Sequence, residues 1–307
     1  MMNRRRFLAA SGAAAISLGW PKQASWAAPG GSRESMRVLF FTDIHARVEW
    51  DTPEAMSSAA HQMNEQRADM ALCGGDCITD GFQASRAAVA HRWQAYREHL
   101  RDQLSPRLLT VIGNHDLVGA IPEDGSEPES DPRAAFREEL GIPRTFSSSE
   151  AAGYHIILLD SVQVTGDALK YRGYVDEAQL AWLRGELAHV RPETPIVLAT
   201  HVPLLTSFFQ ATAGHEQAAP RNRVVVNNRE VLDCFAKHRL HLVLQGHLHV
   251  NEMLRWRGTT FITGGAVCGQ WWRGRWHGTD AGFGVLTLRP DRVDWEYKEI
   301  CWVPRRP

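Results

Sequence analysis

Five short polar clusters each follow an apolar run, and their order along the 307 residues leaves few folds open. They are Asp43-Ile44-His45, Gly74-Gly75-Asp76, Gly113-Asn114-His115-Asp116, Thr200-His201 and Gly246-His247-Leu248-His249. The runs ahead of them, residues 38–41, 70–73, 108–112, 196–199 and 240–244, read as buried strands. Apolar spacing near the helical period predicts helices over 53–66, 85–104, 176–189 and 228–238. Residues 154–159 read as a further strand ending at Asp160, and 252–256, 260–263, 283–288 and 293–297 as an antiparallel run. Strands alternating with helices mark an α/β domain, whose loops at the carboxyl ends of neighbouring strands converge in space.

The chemistry of the clusters is that of a metal site. Carboxylate and amide oxygens mixed with imidazoles suit borderline divalent cations such as Mn, Fe, Co or Zn. Asp43 and His45 sit at alternate positions, so an extended loop points both to one side, and His247 and His249 repeat that spacing. Only five of the 14 histidines fall in the clusters, and an isolated His201 reads as a structural histidine. The five clusters together reverse that reading.

The pattern D-x-H, G-D, G-N-H-D, a lone His and G-H-x-H resembles the calcineurin-like metallophosphoesterase family from Asp43 to His249. The resemblance implies a four-layer α/β/β/α sandwich of two packed mixed sheets. It also implies two divalent or mixed-valence metal ions. One would be held by Asp43, His45, Asp76 and His249, the other by Asp76, Asn114, His201 and His247, with Asp76 bridging. His115 would be the catalytic histidine and Asp116 would orient its ring. The implied reaction is phosphoester hydrolysis with a hydroxide shared by the metals as nucleophile. Phosphodiesters are preferred over monoesters or envelope phospho-lipids and phospho-sugars. A metal-binding sensor or scaffold without catalysis is the alternative of another class. Purple acid phosphatases carry a tyrosine three residues after the bridging aspartate; Thr79 stands there here, which disfavours the purple branch. Asp80 lies near an aspartate found in many cyclic-nucleotide members, one residue off the commonest spacing.

Two stretches suggest substrate contacts. Arg221 and Arg223 lie in the long connection between His201 and His247, which reads either as a lid gripping phosphate or as a solvated loop. Trp271 and Trp272, with Trp276 close behind among glycines, read either as an aromatic wall or as a packed loop.

The first 27 residues read as a twin-arginine export signal, with Arg4, Arg5 and Arg6 ahead of a modest apolar stretch and Ser25-Trp26-Ala27 at the cleavage point. Residues 28–35 form a Gly/Ser-rich linker and 36–307 one metallophosphoesterase domain. The expected partners are a phosphoester small molecule and the twin-arginine machinery, and the expected location is periplasmic or extracellular. The apolar stretch is too short to span a bilayer, so no stable membrane insertion is expected. Removing the leader leaves 30 basic against 35 acidic residues, a formal charge of −5, which argues against generic nucleic-acid binding. Five cysteines, Cys73, Cys77, Cys234, Cys268 and Cys301, leave at least one unpaired, and Cys73 and Cys77 read as buried thiols.

Overall fold

The computed structural model describes residues 35–307, so the expected export signal and nearly all of the expected linker lie outside the described residues. The first half runs β1 (Met36–Phe41), α1 (Thr52–Glu65), β2 (Met70–Cys73), α2 (Arg86–His99), β3 (Arg107–Thr110), α3 (Ala134–Leu140), β4 (Ser147–Ala151) and β5 (Tyr154–Leu158). It continues through β6 (Val162–Val164), β7 (Tyr171–Gly173), α4 (Glu177–Leu187), β8 (Ile196–Ala199), α5 (Phe208–Ala213) and α6 (Asn228–Cys234). The chain closes with β9 (Leu240–Gln245), β10 (Glu252–Trp256), β11 (Thr259–Thr263), β12 (Gly282–Leu288) and β13 (Val293–Glu299).

Alternation along the strands decides the layers. In β1, Val38 and Phe40 point one way and Leu39 and Phe41 the other. Val38 and Phe40 join Met70, Leu72, Ile156, Val197, Leu242 and Leu286 in a core between two sheets. Leu39 and Phe41 pack with Met56, Met63 and Tyr96 of α1 and α2, while Leu198 and Val243 share a cluster with Leu180, Leu183 and Val231 of α4 and α6. One sheet has the order β13-β12-β1-β2-β3 and the other β10-β11-β9-β8-β5-β4, with β6-β7 as a separate ribbon. Both are mixed: β1, β2 and β3 pair in parallel, as do β5, β8, β9 and β11, while β4, β10, β12 and β13 add antiparallel edges. The expected two-sheet α/β sandwich is therefore what forms.

Some boundaries differ for local reasons. α2 stops at His99 because Leu100 leaves the helix at φ −137° to bury its side chain fully, and a short 3₁₀ turn follows at Arg101–Gln103. α6 ends at Cys234, where the Phe235 and Ala236 N–H groups turn back to the Leu232 and Asp233 carbonyls. β4 escaped notice because Ser147–Ala151 has no apolar alternation; it is an edge strand held by main-chain pairing with β5. No helix among the described residues is long and apolar enough to cross a membrane.

The functional consequence lies at one rim. The carboxyl ends of β1, β2 and β3 from one sheet and of β8 and β9 from the other open into the five polar loops. Main-chain bonds lace these loops together: Asp43 N–H to Gly75 O at 2.9 Å, His45 N–H to Asp76 O at 2.9 Å and Gly246 N–H to His201 O at 2.9 Å.

Candidate metal centre

All seven predicted ligands meet at that rim, each 4% exposed or less. Asp76 is the hub. Its Oδ1 accepts the His115 N–H at 2.8 Å, which leaves Oδ2 facing His201 Nε2 at 3.2 Å and His45 Nε2 at 3.6 Å. On one side Asp43 Oδ1 lies 3.2 Å from His249 Nε2 and 3.8 Å from His45 Nε2, and the two imidazole nitrogens are 3.1 Å apart. On the other side Asn114 Oδ1 lies 3.2 Å from His201 Nε2, and ligand atoms of Asp76, His201 and His247 all fall within 4.8 Å of one another.

Tautomers follow from the partners. His201 Nδ1 donates to Gly74 O at 2.8 Å, His249 Nδ1 to Gly269 O at 2.6 Å and His247 Nε2 to Asn222 O at 2.9 Å. A carbonyl only accepts, so the opposite nitrogen of each neutral ring presents a bare lone pair, the arrangement that orients metal-binding imidazoles. Those lone pairs face Asp43, Asp76 and Asn114 oxygens, which are acceptors too. Asp43 Oδ1 is buried with no hydrogen-bond partner at all. Acceptors converging on acceptors in a water-poor rim fit divalent cations.

The electrostatics agree. Without a cation, a proton takes that place on His201 Nε2: burial opposes the charge, yet Asp76 pushes the ring up to about 9. Burial likewise opposes charge on His249, and Asp43 drives it well above the usual imidazole range. Burial would raise Asp43, but the His249 charge beside it holds its carboxyl far below the usual range. The two carboxylates thus create a field that attracts positive charge.

The ligands sit on strained backbone. Asp43 (φ 52°), His45 (46°), Asp76 (53°), His247 (71°) and His249 (58°) all adopt the left-handed region, where a side chain costs roughly 1–2 kcal/mol. Close approach at the hub requires Gly113: a Cβ there would lie 2.2 Å from Asp76 Oδ1 and 2.3 Å from Asp76 N.

His115 stands at the open edge, its ring edge-on to His45 at 4.6 Å. Its Nδ1 accepts the Asp80 main-chain N–H at 3.0 Å, so the neutral ring carries its proton on Nε2. This corrects the role expected for Asp116. That carboxylate is fully buried and accepts N–H bonds from Gly113 (2.9 Å), Cys77 (2.8 Å) and Ile78 (3.3 Å). It ties the β2 and β3 loops together, while the Asp80 backbone holds the histidine ring. Burial, with the Asp76 charge next, pushes Asp116 up to about 7.

The predicted substrate contacts separate. Trp271 is half-buried and lays its ring 4.5 Å from the His249 ring and 6.0 Å from that of His45. Beyond it Trp276, His277 and Phe208 continue an aromatic ladder. Trp272 is instead a core residue, 2% exposed, whose Nε1 donates to His45 O at 3.0 Å. Arg221 pairs with Asp167 at 2.9 Å on the exposed surface, whereas Arg223 lies within electrostatic reach of His247 and Tyr171. Sequence reading missed Cys268, whose Sγ lies 3.9 Å from His249 Nδ1, because a lone cysteine outside the five clusters carries no spacing signal.

Residues 36–251 match the signature of the calcineurin-like phosphoesterases, and the chain belongs to that family. It is similar to metallophosphoesterase 1 of Mus musculus, 23% identical over an alignment 266 residues long that covers 75% of this chain and 64% of the relative. The chain thus spans under two thirds of that curated relative's length. In fold it is similar to a dimetal phosphatase from Danio rerio (TM-score 0.60, 16% identity, 86% of this chain and 96% of that one). It is also similar to the purple acid phosphatase PPD1 of yellow lupin, Lupinus luteus (TM-score 0.59, 14% identity, 88% of this chain and 52% of that one).

The three main-chain bonds to Asp116 make it a test of the loop architecture. Asp116→Asn places an amide N–H₂ against backbone donors and is expected to lower unfolding stability by about 1–3 kcal/mol. His115→Ala should cost clearly less in the same denaturant titration. Equal losses would contradict the stapling role.

Proposed function

From family membership and the convergence of bare acceptors on Asp76, we propose that the protein is a metal-dependent phosphoester hydrolase that prefers diesters. The observation that carries this reading is the single Asp76 Oδ2 facing donors of both groups. Asp43, His45, Asp76 and His249 would hold one cation and Asp76, Asn114, His201 and His247 the other, with Mn, Fe, Co or Zn suited to the donor set. When bound, such a pair activates water near neutral pH and neutralises charge on the phosphoryl oxygens.

The chain's own residues supply the rest. As the new P–O bond forms and the ester P–O bond breaks, the leaving oxygen needs a proton. His115 carries one on Nε2, held there by the Asp80 N–H on Nδ1. Main-chain carbonyls of Gly74, Gly269 and Asn222 keep the ligand imidazoles in register, and the Trp271 ring closes one wall. Thr79 in place of a metal-binding tyrosine is the basis for the non-purple, diester-leaning assignment. The aromatic ladder from Trp271 to Phe208 favours a second reading, in which the ester belongs to an envelope lipid head group or sugar that stacks on it. Export by the twin-arginine route, carried by residues 1–27, is part of the proposal.

Mn-loaded protein is expected to hydrolyse bis-p-nitrophenyl phosphate, and His115→Ala to reduce kcat about 10²–10⁴-fold while retaining its metals. Two metals bound without turnover on any mono-, di- or cyclic ester would instead support a scaffold role. Asp76→Asn should lower occupancy of both metals in elemental analysis; loss of one alone would remove the shared-ligand assignment. Replacing Arg4, Arg5 and Arg6 together with lysine should retain the protein in the cytoplasm, and undiminished export would rule out the twin-arginine route.

A further inference from the structure

Several arginines of the protein pair closely with acids: Arg86 with Glu138 at 2.9 Å, Arg133 with Asp160 at 2.5 Å, Arg137 with Asp131 at 2.6 Å. Beside His115 they do not. Arg47 follows His45 by two residues, is 7% exposed, and lies over the Trp50 ring at 4.6 Å. Arg306 lies 4.5 Å from the same ring and its Nη1 donates to Trp271 O at 2.7 Å, behind the indole that lies against the His249 ring. Arg92 reaches in from α2, where Nη1 donates to Thr79 O at 2.8 Å. One carboxylate serves two of them loosely: Asp80 Oδ2 stands 3.5 Å from Arg47 Nη2 and 3.7 Å from Arg92 Nη1. Glu49, half exposed, is 3.8 Å from Arg47 Nε. The Nε atoms of Arg47, Arg92 and Arg306 are all buried without a hydrogen-bond partner.

We propose that Arg47, Arg92 and Arg306 form a subsite for a second anionic group on the substrate, a phosphate or carboxylate carried on the leaving-group side of the scissile phosphoester. The proposal rests on the phosphoester reading and narrows it to phosphoesters of alcohols that themselves carry a phosphate or a carboxylate. Two features support that side. The Asp80 residue whose carboxylate the arginines share is the one whose N–H holds His115, the proton donor to the leaving oxygen. Arg47 and Arg92 each reach Asp80, and Arg306 reaches Trp271 O, so all three touch residues that themselves contact His115 or His249. A diester's single charge does not account for three guanidiniums whose acids, Asp80 and Glu49, stand no closer than 3.5 Å. Under-paired guanidiniums with donors to spare are what bidentate recognition of a further phosphate or carboxylate uses.

The test compares non-hydrolysable ligands with the same number of carbons. Mn-loaded protein is titrated calorimetrically with propylphosphonate and 3-phosphonopropionate, and with butylphosphonate and 4-phosphonobutyrate for a longer reach. The acid-bearing member of at least one pair is expected to bind about tenfold tighter, the size of one or two charge-assisted hydrogen bonds. Arg92→Gln and Arg306→Gln should each shrink that ratio toward one, whereas Arg86→Gln, on a paired surface arginine, should not. Equal affinities within both pairs overturn the subsite. So does a ratio that survives both variants, since the carboxylate would then be meeting the metals. Turnover of bis-p-nitrophenyl phosphate with no such ratio removes the subsite and leaves the hydrolase; the ratio without turnover on any ester does the reverse.

Discussion

One carboxylate organises the reactive rim. Asp76 has its first oxygen fixed by the His115 main-chain N–H, so its second can only face inward, toward His45 on one hand and His201 on the other. That division of labour between two oxygens of one side chain links the β2 loop to the β1, β3 and β8 loops at once. It also spans the two sheets, because His45 follows β1 and His201 follows β8. The apolar layer of Val38, Phe40, Leu72, Val197 and Leu242 between the sheets therefore does more than stabilise the fold. It sets the separation across which the ligand atoms meet.

Around this hub the protein divides its polar groups by task. Backbone groups aim side chains: carbonyls of Gly74, Gly269 and Asn222 fix three imidazoles, and the Asp80 N–H fixes His115. Asp116 aims no side chain and instead gathers three N–H groups that two adjacent loops would otherwise bury unpaired. The acidic balance of residues 28–307 hides a local reversal, for Arg47, Arg92 and Arg306 gather around Asp80 and Trp271, near the site of the buried Asp43 and Asp76 carboxylates. With the proposed subsite, carboxylates that draw cations and guanidiniums that draw anions would be complementary parts of one receptor for phosphate chemistry.

Much of this was legible in the residues. The ligand loops announced themselves because an apolar strand followed by Asp, His or Asn is a local signal, and β8 and β10 fell on the expected residues. Layer order came instead with the family resemblance, since an unbroken apolar run such as residues 38–41 shows no alternation of its own. What escaped is what distance in sequence conceals. The neighbour relation His115-Asp116 suggested a hydrogen bond, but in the tight 3₁₀ turn at Asn114–Asp116 the carboxylate turns inward to the loops. Trp271 and Trp272 are adjacent and chemically identical, yet one lies against the His249 ring and the other fills the core. Arg47, Arg92 and Arg306 come from three regions of the chain, and no spacing rule could have grouped them.

The left-handed backbone at Asp43, His45, Asp76, His247 and His249 has a consequence for how long the protein lasts. Five such residues in one rim store strain that the folded state must hold whether or not a cation is present, and any cation that binds there stabilises the fold by mass action. Durability would then track the metal supply of the surroundings. Chelators would shorten the molecule's life as well as silence it, and scarcity of metal would be felt first as heat sensitivity and clearance by proteases.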